Sequence, residues 1–387
     1  MTVSIYLLLL AFVFLLAMSD FFIIADARNR FLLYIILFSL LVTFIGLRYQ
    51  TGLDWLFYNN LFNGEGFSLA IEPGYYFFSY VSSFLMGYWI YQALITAVLI
   101  ICLKTFFEKN TKNYLFCIGF FFLYQFIFVT EAIRQIIALS IILVAYKKFY
   151  DGKKLQFHML TILACSFHIS AVIVFILIPF LKRRNIYILK ILTIVGLVLA
   201  IFSVYPVDYL IQLLSLLPAG GYIEKIRWYS QDDYAGSVLT FSLVFKVFVV
   251  LLFDYRFKSI KSHGQSLINA RAYDFIYTSV YLMIFMDVYL GRFGTISTRL
   301  DVYFIPCFLI ALNHLINEHK QGVSRFIFFF VVMVYFTINY LSIMNGYYFE
   351  KFYSPYQNYI TEFLNPGSYS DRGWDVRYYF SNKELLQ

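Results

Sequence analysis

Apolar runs of membrane-spanning length recur along the chain and constrain its fold more than any other feature. One of them, "FLLYIILFSLLVTFIGL", covers residues 31–47, and about 20 apolar residues are enough for a helix to cross a bilayer. Only 13% of the 387 residues are charged, whereas soluble domains carry about 25%. A bilayer offers the backbone no hydrogen-bond partners, and α-helices satisfy their own backbone. We therefore predict an all-α, polytopic integral membrane protein.

The apolar runs predict about 11–13 transmembrane helices. We expect residues 1–344 to form a single integral membrane domain, because no long polar stretch interrupts them, and residues 345–387 to form a C-terminal tail. Residues 2–18 lack a basic start and a small-residue cleavage site, which favours a retained helix over a signal peptide. The predicted spans lie near residues 2–18, 31–47, 88–107, 114–130, 132–149, 155–167, 169–181, 186–204, 237–254, 272–290, 299–316 and 324–343.

The formal net charge of +8 fits the usual sidedness of membrane proteins, in which Lys and Arg concentrate in cytoplasmic loops. The loops at 48–73, 205–236 and 291–298, together with the tail, then lie on the opposite side. Nucleic acid is not an expected partner, because no basic run is longer than Lys182–Arg184.

Residues 155–181 leave the topology open, because they are long for one helix and short for two. Two short helices that meet near Phe167–His168 would place both basic flanks in the cytoplasm. Such a break is tolerated where protein or a watery cavity covers the backbone. A single tilted span is the alternative, and it would invert the sidedness of all later segments.

The segment that starts at Glu72 is predicted to be a helix lying in the membrane interface or re-entering from the outer side. Its second residue, Pro73, is typical of a helix start. The aromatic residues that follow suit the interface between lipid and water.

The sequence lacks the signatures of several enzyme classes. The four cysteines lie in apolar runs without paired spacing, which is typical of small buried side chains. No cluster has metal-ligand spacing, and no phosphate-binding loop, dinucleotide fingerprint or nucleophile elbow occurs. We expect no metal and no cofactor, and the chemistry left open is transfer from a lipid-phosphate donor.

Glu131 and Arg134, in "TEAIRQIIALSIIL", lie near the end of a predicted span and would share one helix face. Charged groups in membrane spans are costly and usually face a cavity. Two interpretations stay open. The pair is a local ion pair that stabilises the helix end, or the arginine is held by this glutamate and points into a cavity to receive an anion.

Other arginines on the same predicted side also suit anion binding. Arg48 follows a span and precedes Asp54 by six residues. Asp54 is either a loop cap, a salt-bridge partner of Arg48 or part of a site. Arg292 and Arg299 flank a short loop. Arg292 is explained equally well as an interfacial anchor. The charge of Arg299, at a predicted helix start, opposes the helix dipole unless an anion lies nearby.

Two more polar residues fall within the apolar segments. His168 lies at the proposed helix break and is either a satisfied structural residue or a substrate contact. Lys246 lies in the middle of a predicted span, and we expect it to snorkel or to pair with Asp274 or Asp287, outside the site.

Arginines together with carboxylates suit transfer from a lipid phosphate. Guanidinium groups hold an anionic leaving group through paired hydrogen bonds, and a carboxylate takes the proton of the acceptor hydroxyl. The candidate catalytic bases are Asp54, then Glu72 and Glu131. The candidate residues for binding the anionic leaving group are Arg48, Arg134, Arg292 and Arg299. The candidate substrate-contacting residues are Tyr58, Gln135, His168, Tyr303 and Tyr353.

Six segments, in order and across most of the chain, make the sequence similar to a known family. They are "RYQTGLDWLFY", "EPGYYFFSYV", "IRQIIALSI", "FHISAVIV", "RLDVYF" and "YSPYQNY". With these segments the chain resembles the EpsG-type branch of the Wzy polysaccharide polymerases.

The resemblance implies a protein of the bacterial inner membrane that joins oligosaccharide repeat units at the periplasmic face. Both donor and acceptor would be carried on undecaprenyl diphosphate, and the product would be O antigen or exopolysaccharide. The fold would be similar to the GT-C class of membrane glycosyltransferases, without metal or nucleotide sugar. Implied partners are membrane lipid and a chain-length regulator, with a flippase and a ligase as further candidates.

Two other functions fit parts of the pattern. A flippase for the same lipid-linked sugar would share the size, the charge and an arginine-lined cavity, but transporters usually show matched broken helices in two halves, and the break near His168 has no counterpart. A membrane O-acyltransferase would need a cytoplasmic acyl-CoA site and usually a membrane-embedded histidine, whereas the charged residues here lie on the predicted outer side.

Overall fold

The computed structural model describes residues 3–23, 26–65, 71–209, 238–263, 270–318 and 322–385. These residues form helices joined by turns and loops, and the β-type pairing among them is an isolated bridge between Arg48 and Asn358. The predicted all-α fold is therefore confirmed for the described part. The chain divides into two compact units, Met1–Ile169 with Ile327–Gln387, and Ser170–Phe326.

The helices of the first unit up to residue 169 pack mainly in sequence order. They are α1 (Val3–Phe22), α2 (Ala27–Leu41), α3 (Trp55–Phe62), α4 (Pro73–Ser83), α5 (Tyr88–Asn110), α6 (Tyr114–Tyr124), α7 (Phe126–Glu131), α8 (Ile133–Tyr150) and α9 (Lys154–Phe167). Helix α8 packs against α5 and α9, and α1 packs against α6. Nearly every residue of α6 is buried, which explains why this helix is apolar on all sides.

A buried aspartate ties α1 to α6. The Asp20 carboxylate accepts hydrogen bonds from the backbone N–H groups of Leu115 (3.0 Å) and Phe116 (3.2 Å). Arg30 Nε donates to the same carboxylate at 2.8 Å. The first N–H groups of a helix lack partners within it, and negative charge there is favoured by the helix dipole. Asp20 therefore holds the start of α6 against α1.

In the second unit, α13 packs against α11, α12, α14 and α15. The helices of this unit are α10 (Ile173–Phe180), α11 (Arg183–Ile201), α12 (Phe241–His263), α13 (Ala270–Leu290), α14 (Gly294–Asp301) and α15 (Ile305–Glu318). Next in the chain come α16 (Val323–Met344), α17 (Tyr347–Tyr353), α18 (Tyr359–Leu364) and α19 (Gly373–Leu385).

Several of the described helices fit a polytopic membrane protein. The four that are long and apolar enough to cross a membrane cover Ile5–Phe22, Ala27–Gly46, Tyr88–Asn110 and Val323–Met344. A fifth would be added if Ile169–Phe180 and Asn185–Ile201, which are bent by 119°, count as one span. The count of about 11–13 spans and the GT-C-like arrangement stay predictions.

Two local predictions are confirmed. Helix α9 ends at Phe167, His168 has extended backbone angles, and a new helical turn starts at Ile169, so the chain breaks where the sequence indicated. Helix α4 begins at Pro73, as predicted.

The predicted outer loops are partly helical. The loop 48–73 contains α3, and α14 begins within the loop 291–298. The loop 205–236 lies largely outside the described residues. Their placement on one side of a membrane stays a prediction.

The C-terminal segment packs onto the loop that follows α2. The Tyr359 N–H donates to Leu47 O at 2.8 Å. The Gly52 N–H donates to Phe352 O at 3.1 Å. The backbone N–H of the buried Arg372 donates to Gln50 Oε1 at 2.8 Å. This segment belongs to the same compact unit as the first helices, and the division into a membrane domain and a periplasmic tail at residue 344 stays a prediction.

Candidate active site

A charged cluster joins three separate parts of the first unit. Glu72 precedes α4, Arg134 is the second residue of α8, and His168 follows α9. Glu72 Oε2 accepts a hydrogen bond from Arg134 Nη1 at 2.6 Å, and Glu72 Oε1 pairs with His168 Nδ1 at 2.8 Å. An ionised carboxylate can only accept, so His168 Nδ1 carries the proton. The three side chains are 13–19% exposed, so the cluster is mostly buried but not sealed.

The local sequence explains why Glu72 and His168 meet. Pro73 occupies the first position of α4, where its missing N–H costs nothing. Gly74 follows, and a Cβ atom there would lie 2.4 Å from Ser166 Oγ and 2.8 Å from the Ser166 carbonyl oxygen. The absence of a side chain lets α4 approach the end of α9, which brings the Glu72 carboxylate to the imidazole.

Arg134 is held on two sides. Its Nε donates to the Tyr58 hydroxyl at 3.3 Å, and its guanidinium carbon lies 5.9 Å from the centre of the Tyr58 ring. Nη1 is engaged by Glu72, while Nη2 makes no hydrogen bond among the described residues. A planar guanidinium fixed in this way presents one N–H edge that is already oriented for an anion.

A second carboxylate, that of Glu131, is surrounded by tyrosines and backbone. Its Oε1 accepts hydrogen bonds from the hydroxyls of Tyr348 and Tyr353 (2.7 Å for Tyr353). The same oxygen accepts from the Leu53 N–H at 3.2 Å. The Tyr353 hydroxyl also lies 2.9 Å from Thr130 Oγ1. Among the described residues Oε2 accepts no hydrogen bond, so this oxygen can receive a proton from a ligand.

Gly52 allows the backbone to reach Glu131. Its φ of +88° lies in the left-handed region, which favours glycine. A Cβ atom on Gly52 would lie 2.8 Å from Glu131 Oε1 and 3.2 Å from the Tyr353 hydroxyl. The glycine in "RYQTGLDW" is therefore required both by the turn and by the close approach.

One short stretch of chain contacts both charged groups. The Leu53 N–H binds Glu131, and the Tyr58 hydroxyl binds Arg134. Asp54 lies between them, directly before α3, where its backbone carbonyl accepts from the Tyr58 N–H at 3.1 Å. The stretch from Leu53 to Tyr58 thus contacts Glu131 at one end and Arg134 at the other.

The two carboxylates differ in the direction of their pKa shifts. Burial raises the pKa of Glu72, but the hydrogen bond from His168 and the charge of Arg134 outweigh it and lower the pKa to about 2. Burial, followed by the negative charge of Asp54, raises the pKa of Glu131 to about 7. At neutral pH, Glu72 is therefore ionised and bound to Arg134, whereas Glu131 can gain or lose a proton.

Of the two interpretations of Glu131 and Arg134, the local ion pair is wrong. Ala132 has φ −84° and ψ 58°, which is outside the helical region, so α7 ends at Glu131 and α8 starts afresh at Ile133. The two charged side chains consequently reach different partners. Arg134 is held by a carboxylate, as the other interpretation requires, but that carboxylate belongs to Glu72 and not to Glu131.

Arg48 and Gln135 are buried close to this site. Arg48 is 2% exposed and donates from Nη1 to Ile45 O at 2.7 Å and from Nη2 to Thr130 O. These contacts brace the end of the helix that contains Ile45 against α7. Gln135, next to Arg134 in α8, is 1% exposed. The predicted roles of both residues toward substrate stay predictions.

The remaining predicted residues lie in the second unit. Arg292 Nη1 pairs with Asp208 at 2.8 Å. Arg299 lies in the last turn of α14 and not at a helix start, so the predicted conflict with the helix dipole is wrong, because positive charge is favoured there. The hydroxyl of the buried Tyr303 lies 3.0 Å from Ser170 Oγ. Binding of diphosphate or substrate by these residues stays a prediction.

Lys246 forms a separate charged cluster in the second unit. Its Nζ donates to Asp287 at 2.8 Å and to Asp301 at 2.6 Å, and its side chain is 7% exposed. Ser297 Oγ donates to the other oxygen of Asp287 at 3.0 Å. Pairing with Asp287 is confirmed, and snorkelling is wrong. No local spacing indicates Asp301, which is 55 residues away from Lys246.

Sequence patterns did not identify two groups of the site. Tyr348 binds Glu131 from 217 positions further along the chain, and the Leu53 N–H binds it through the backbone. The available signal for Tyr348 was its place in an aromatic stretch just before "YSPYQNY". A backbone N–H such as that of Leu53 cannot be recognised from the residue type. The only indication in the sequence is Gly52, directly before it.

The helices and this site define a membrane-embedded protein with a fixed arginine and a titratable carboxylate on neighbouring helices. Among the residues that the structure describes, no group of three or more His, Cys, Asp or Glu side chains could hold a metal ion, and metal-independent chemistry stays a prediction.

The EpsG family model matches residues 31–358, which is most of the chain, so the protein belongs to the EpsG family. Membership supports a Wzy-like polymerase, a glycosyltransferase-like enzyme in a general sense. No curated protein and no solved structure gives a significant match.

Proposed function

We propose that this protein polymerises oligosaccharide repeat units carried on undecaprenyl diphosphate. The growing glycan moves from its lipid diphosphate to the incoming lipid-linked unit, at the periplasmic face of a bacterial inner membrane. The observation that carries the proposal is that one short stretch, residues 52–58, contacts both Arg134, which has one open N–H edge, and Glu131, which has one open carboxylate oxygen.

Arg134 suits the binding of the leaving group. Glu72 and Tyr58 fix the guanidinium before any ligand arrives, so little reorganisation is needed when negative charge develops. Its Nη2 edge donates to a diphosphate oxygen, and charge-assisted hydrogen bonds of this kind are stronger than neutral ones. His168 holds the other oxygen of Glu72 and is a positioning residue in this scheme.

Glu131 suits the role of general base. The bond from the anomeric carbon of the donor sugar to the diphosphate oxygen breaks, and undecaprenyl diphosphate leaves with the electron pair. A bond forms between that carbon and the acceptor hydroxyl oxygen, and the hydroxyl proton passes to Glu131 Oε2. A base with a pKa near the working pH is the most effective. Asp54, the base favoured by the sequence, supports Glu131 through its charge.

The proposal is tested with purified protein in nanodiscs and one undecaprenyl-diphosphate-linked repeat unit, with a chelator and without nucleotide sugar. We expect a gel ladder of multiples of the repeat unit. The absence of a ladder from protein that binds the substrate and moves it across liposomes would overturn the proposal and identify a flippase. Transfer of an acyl group from acyl-CoA would overturn it in favour of an O-acyltransferase.

A further inference from the structure

An apolar groove lies between α4, α5 and α8 in the first unit. Its volume is about 280 Å³. Phe78 of α4, Leu94 and Val98 of α5, and Ile137 and Ile141 of α8 line it. The mechanism proposed above uses none of these side chains.

The groove is open along one side and has an apolar wall. Leu94 and Val98 are 48% and 50% exposed, and Val144 at its far end is 37% exposed. Ser140, which also lines the groove, turns its hydroxyl back to the Ile136 carbonyl oxygen of its own helix at 2.9 Å. That hydroxyl is therefore satisfied and offers the groove no open hydrogen bond.

The groove continues from the charged cluster along the same two helices. On α8, Ile137, Ile141 and Val144 follow Arg134 by three, seven and ten residues, which corresponds to about 5, 10 and 15 Å along the helix. On α4, the helix begins directly after Glu72 and carries Phe78. The guanidinium of Arg134 thus lies at one end of the apolar groove.

A cation at the end of an apolar groove fits an amphiphile with an anionic head. We infer that this groove receives the isoprenoid tail of one lipid-linked substrate, with the diphosphate at Arg134 Nη2. The choice of an isoprenoid over an acyl chain rests on the proposed function. At about 280 Å³, the groove receives one segment of that tail. The rest of the tail extends into the bilayer.

Photo-crosslinking tests the groove directly. The photoreactive residue p-benzoylphenylalanine replaces Val98, which lines the groove, or Ile101, which lies on the same helix, is 48% exposed and does not line it. Each protein is irradiated in phosphatidylglycerol–phosphatidylethanolamine nanodiscs with undecaprenyl diphosphate, and adducts are identified by intact mass. We expect at least tenfold more undecaprenyl adduct at position 98 than at position 101.

Two further measurements distinguish a specific isoprenoid site from an ordinary lipid-facing surface. Geranyl diphosphate, which has two isoprene units, should compete with the adduct at position 98, and Arg134→Ala should reduce that adduct without changing phospholipid adducts at position 101. Equal undecaprenyl labelling at both positions, or phospholipid adducts alone at position 98, would overturn the inference and describe an ordinary lipid-facing surface.

The crosslinking result is independent of glycan transfer, so the two proposals can fail separately. A polymer ladder together with equal labelling at positions 98 and 101 overturns the groove and leaves the polymerase intact. Selective labelling at position 98 from protein that makes no ladder supports the groove and overturns the polymerase.

As a matched pair in the ladder assay, Ile141→Trp should raise KM for the lipid-linked unit about tenfold, and Ile101→Trp should leave it unchanged.

Discussion

Two of the buried charge clusters that the structure describes use similar side chains in different ways. In the first unit, Arg134 meets one carboxylate and keeps Nη2 open. In the second unit, Lys246 meets two carboxylates, Asp287 and Asp301. Fully ionised, the second cluster carries an excess of negative charge, which disfavours an anionic ligand, whereas the first leaves a positive edge for one.

The difference teaches how to separate a structural charge from a functional one in a membrane protein. Both lysine and arginine lie where an unpaired charge is costly, so burial does not distinguish them. What distinguishes them is the balance of charge: Lys246 meets two carboxylates, whereas Arg134 meets one and makes no hydrogen bond from Nη2 among the described residues. The predictions below test whether the first cluster affects activity while the second affects stability.

The largest effect is expected for Glu131→Gln. The amide cannot take a proton, and loss of a general base costs roughly 10²- to 10⁴-fold in rate, so the rate of ladder formation should fall by at least about 10²-fold. Glu108→Gln is the matched control, because Glu108 is a half-exposed glutamate that pairs with Lys104 and has no role in the proposed reaction. Full activity in Glu131→Gln would exclude Glu131 as the base.

Arg134→Lys should lower the rate by about 10²-fold, the usual effect of removing one oriented donor from developing charge. Lysine keeps the positive charge but lacks the planar guanidinium, so it cannot donate hydrogen bonds to Glu72, Tyr58 and a ligand in one plane. The measurement is the initial rate of ladder formation at saturating substrate, with Arg377→Lys, an exposed residue of α19, as the control. An Arg134→Lys protein as active as that control would contradict the assignment.

Lys246→Met should act on stability. Removing one partner of a buried charge cluster destabilises by about 3–5 kcal/mol, because Asp287 and Asp301 are left facing each other. We expect a lower midpoint temperature of aggregation and unchanged activity per folded molecule. The midpoint is measured by size-exclusion chromatography after heating. Adding Asp301→Asn should recover part of the loss. A fall in specific activity with an unchanged midpoint would show that the second cluster also takes part in the reaction.

The smallest effect is a shift in pH dependence. Glu131 acts as a base only when ionised, and its pKa is raised to about 7, so the wild-type rate should rise with pH through about 7. Asp54→Asn removes a nearby negative charge and should move this midpoint down by about one unit or less. The pH–rate profile of each protein is the measurement, and an identical midpoint in both would remove Asp54 as the perturbing charge.

Glu72 should not contribute to that profile. Its pKa is lowered to about 2 in the folded protein, so its ion pair is fully present above the ordinary carboxyl range and is lost only as the pH falls toward 2. A rise in rate between pH 6 and 8 that persists in Glu131→Gln would therefore require another group.

Much of the fold could be predicted because it follows from local properties of the chain. Run length and composition indicate a helical membrane protein, since each helix satisfies its own backbone. The break at His168 and the helix start at Pro73 could also be predicted from the sequence, because each depends on residues that are adjacent in the chain. The family could be identified from short segments in order, and the family match confirms it.

The candidate site could be predicted only as a set of residues. Arg134 meets Glu72 across 62 positions, and Glu131 meets Tyr353 across 222. Sequence spacing cannot predict contacts between residues so far apart in the chain. The one spacing rule that applies, that helix residues three apart share a face, favoured a pair of Glu131 with Arg134. That pair fails because Ala132 leaves the helical region between them.

The sequence by itself determined which long apolar segments are helical and which charged residues had to find partners, because helix formation and the cost of burying a charge depend on each residue and its near neighbours. Only the tertiary structure decided which partner each charge received. Gly74 lets α4 approach α9 and bring Glu72 to His168, and Gly52 lets the Leu53 N–H reach Glu131. Close packing between distant segments fixed those pairings, and with them the donor and acceptor positions that stayed open for a ligand.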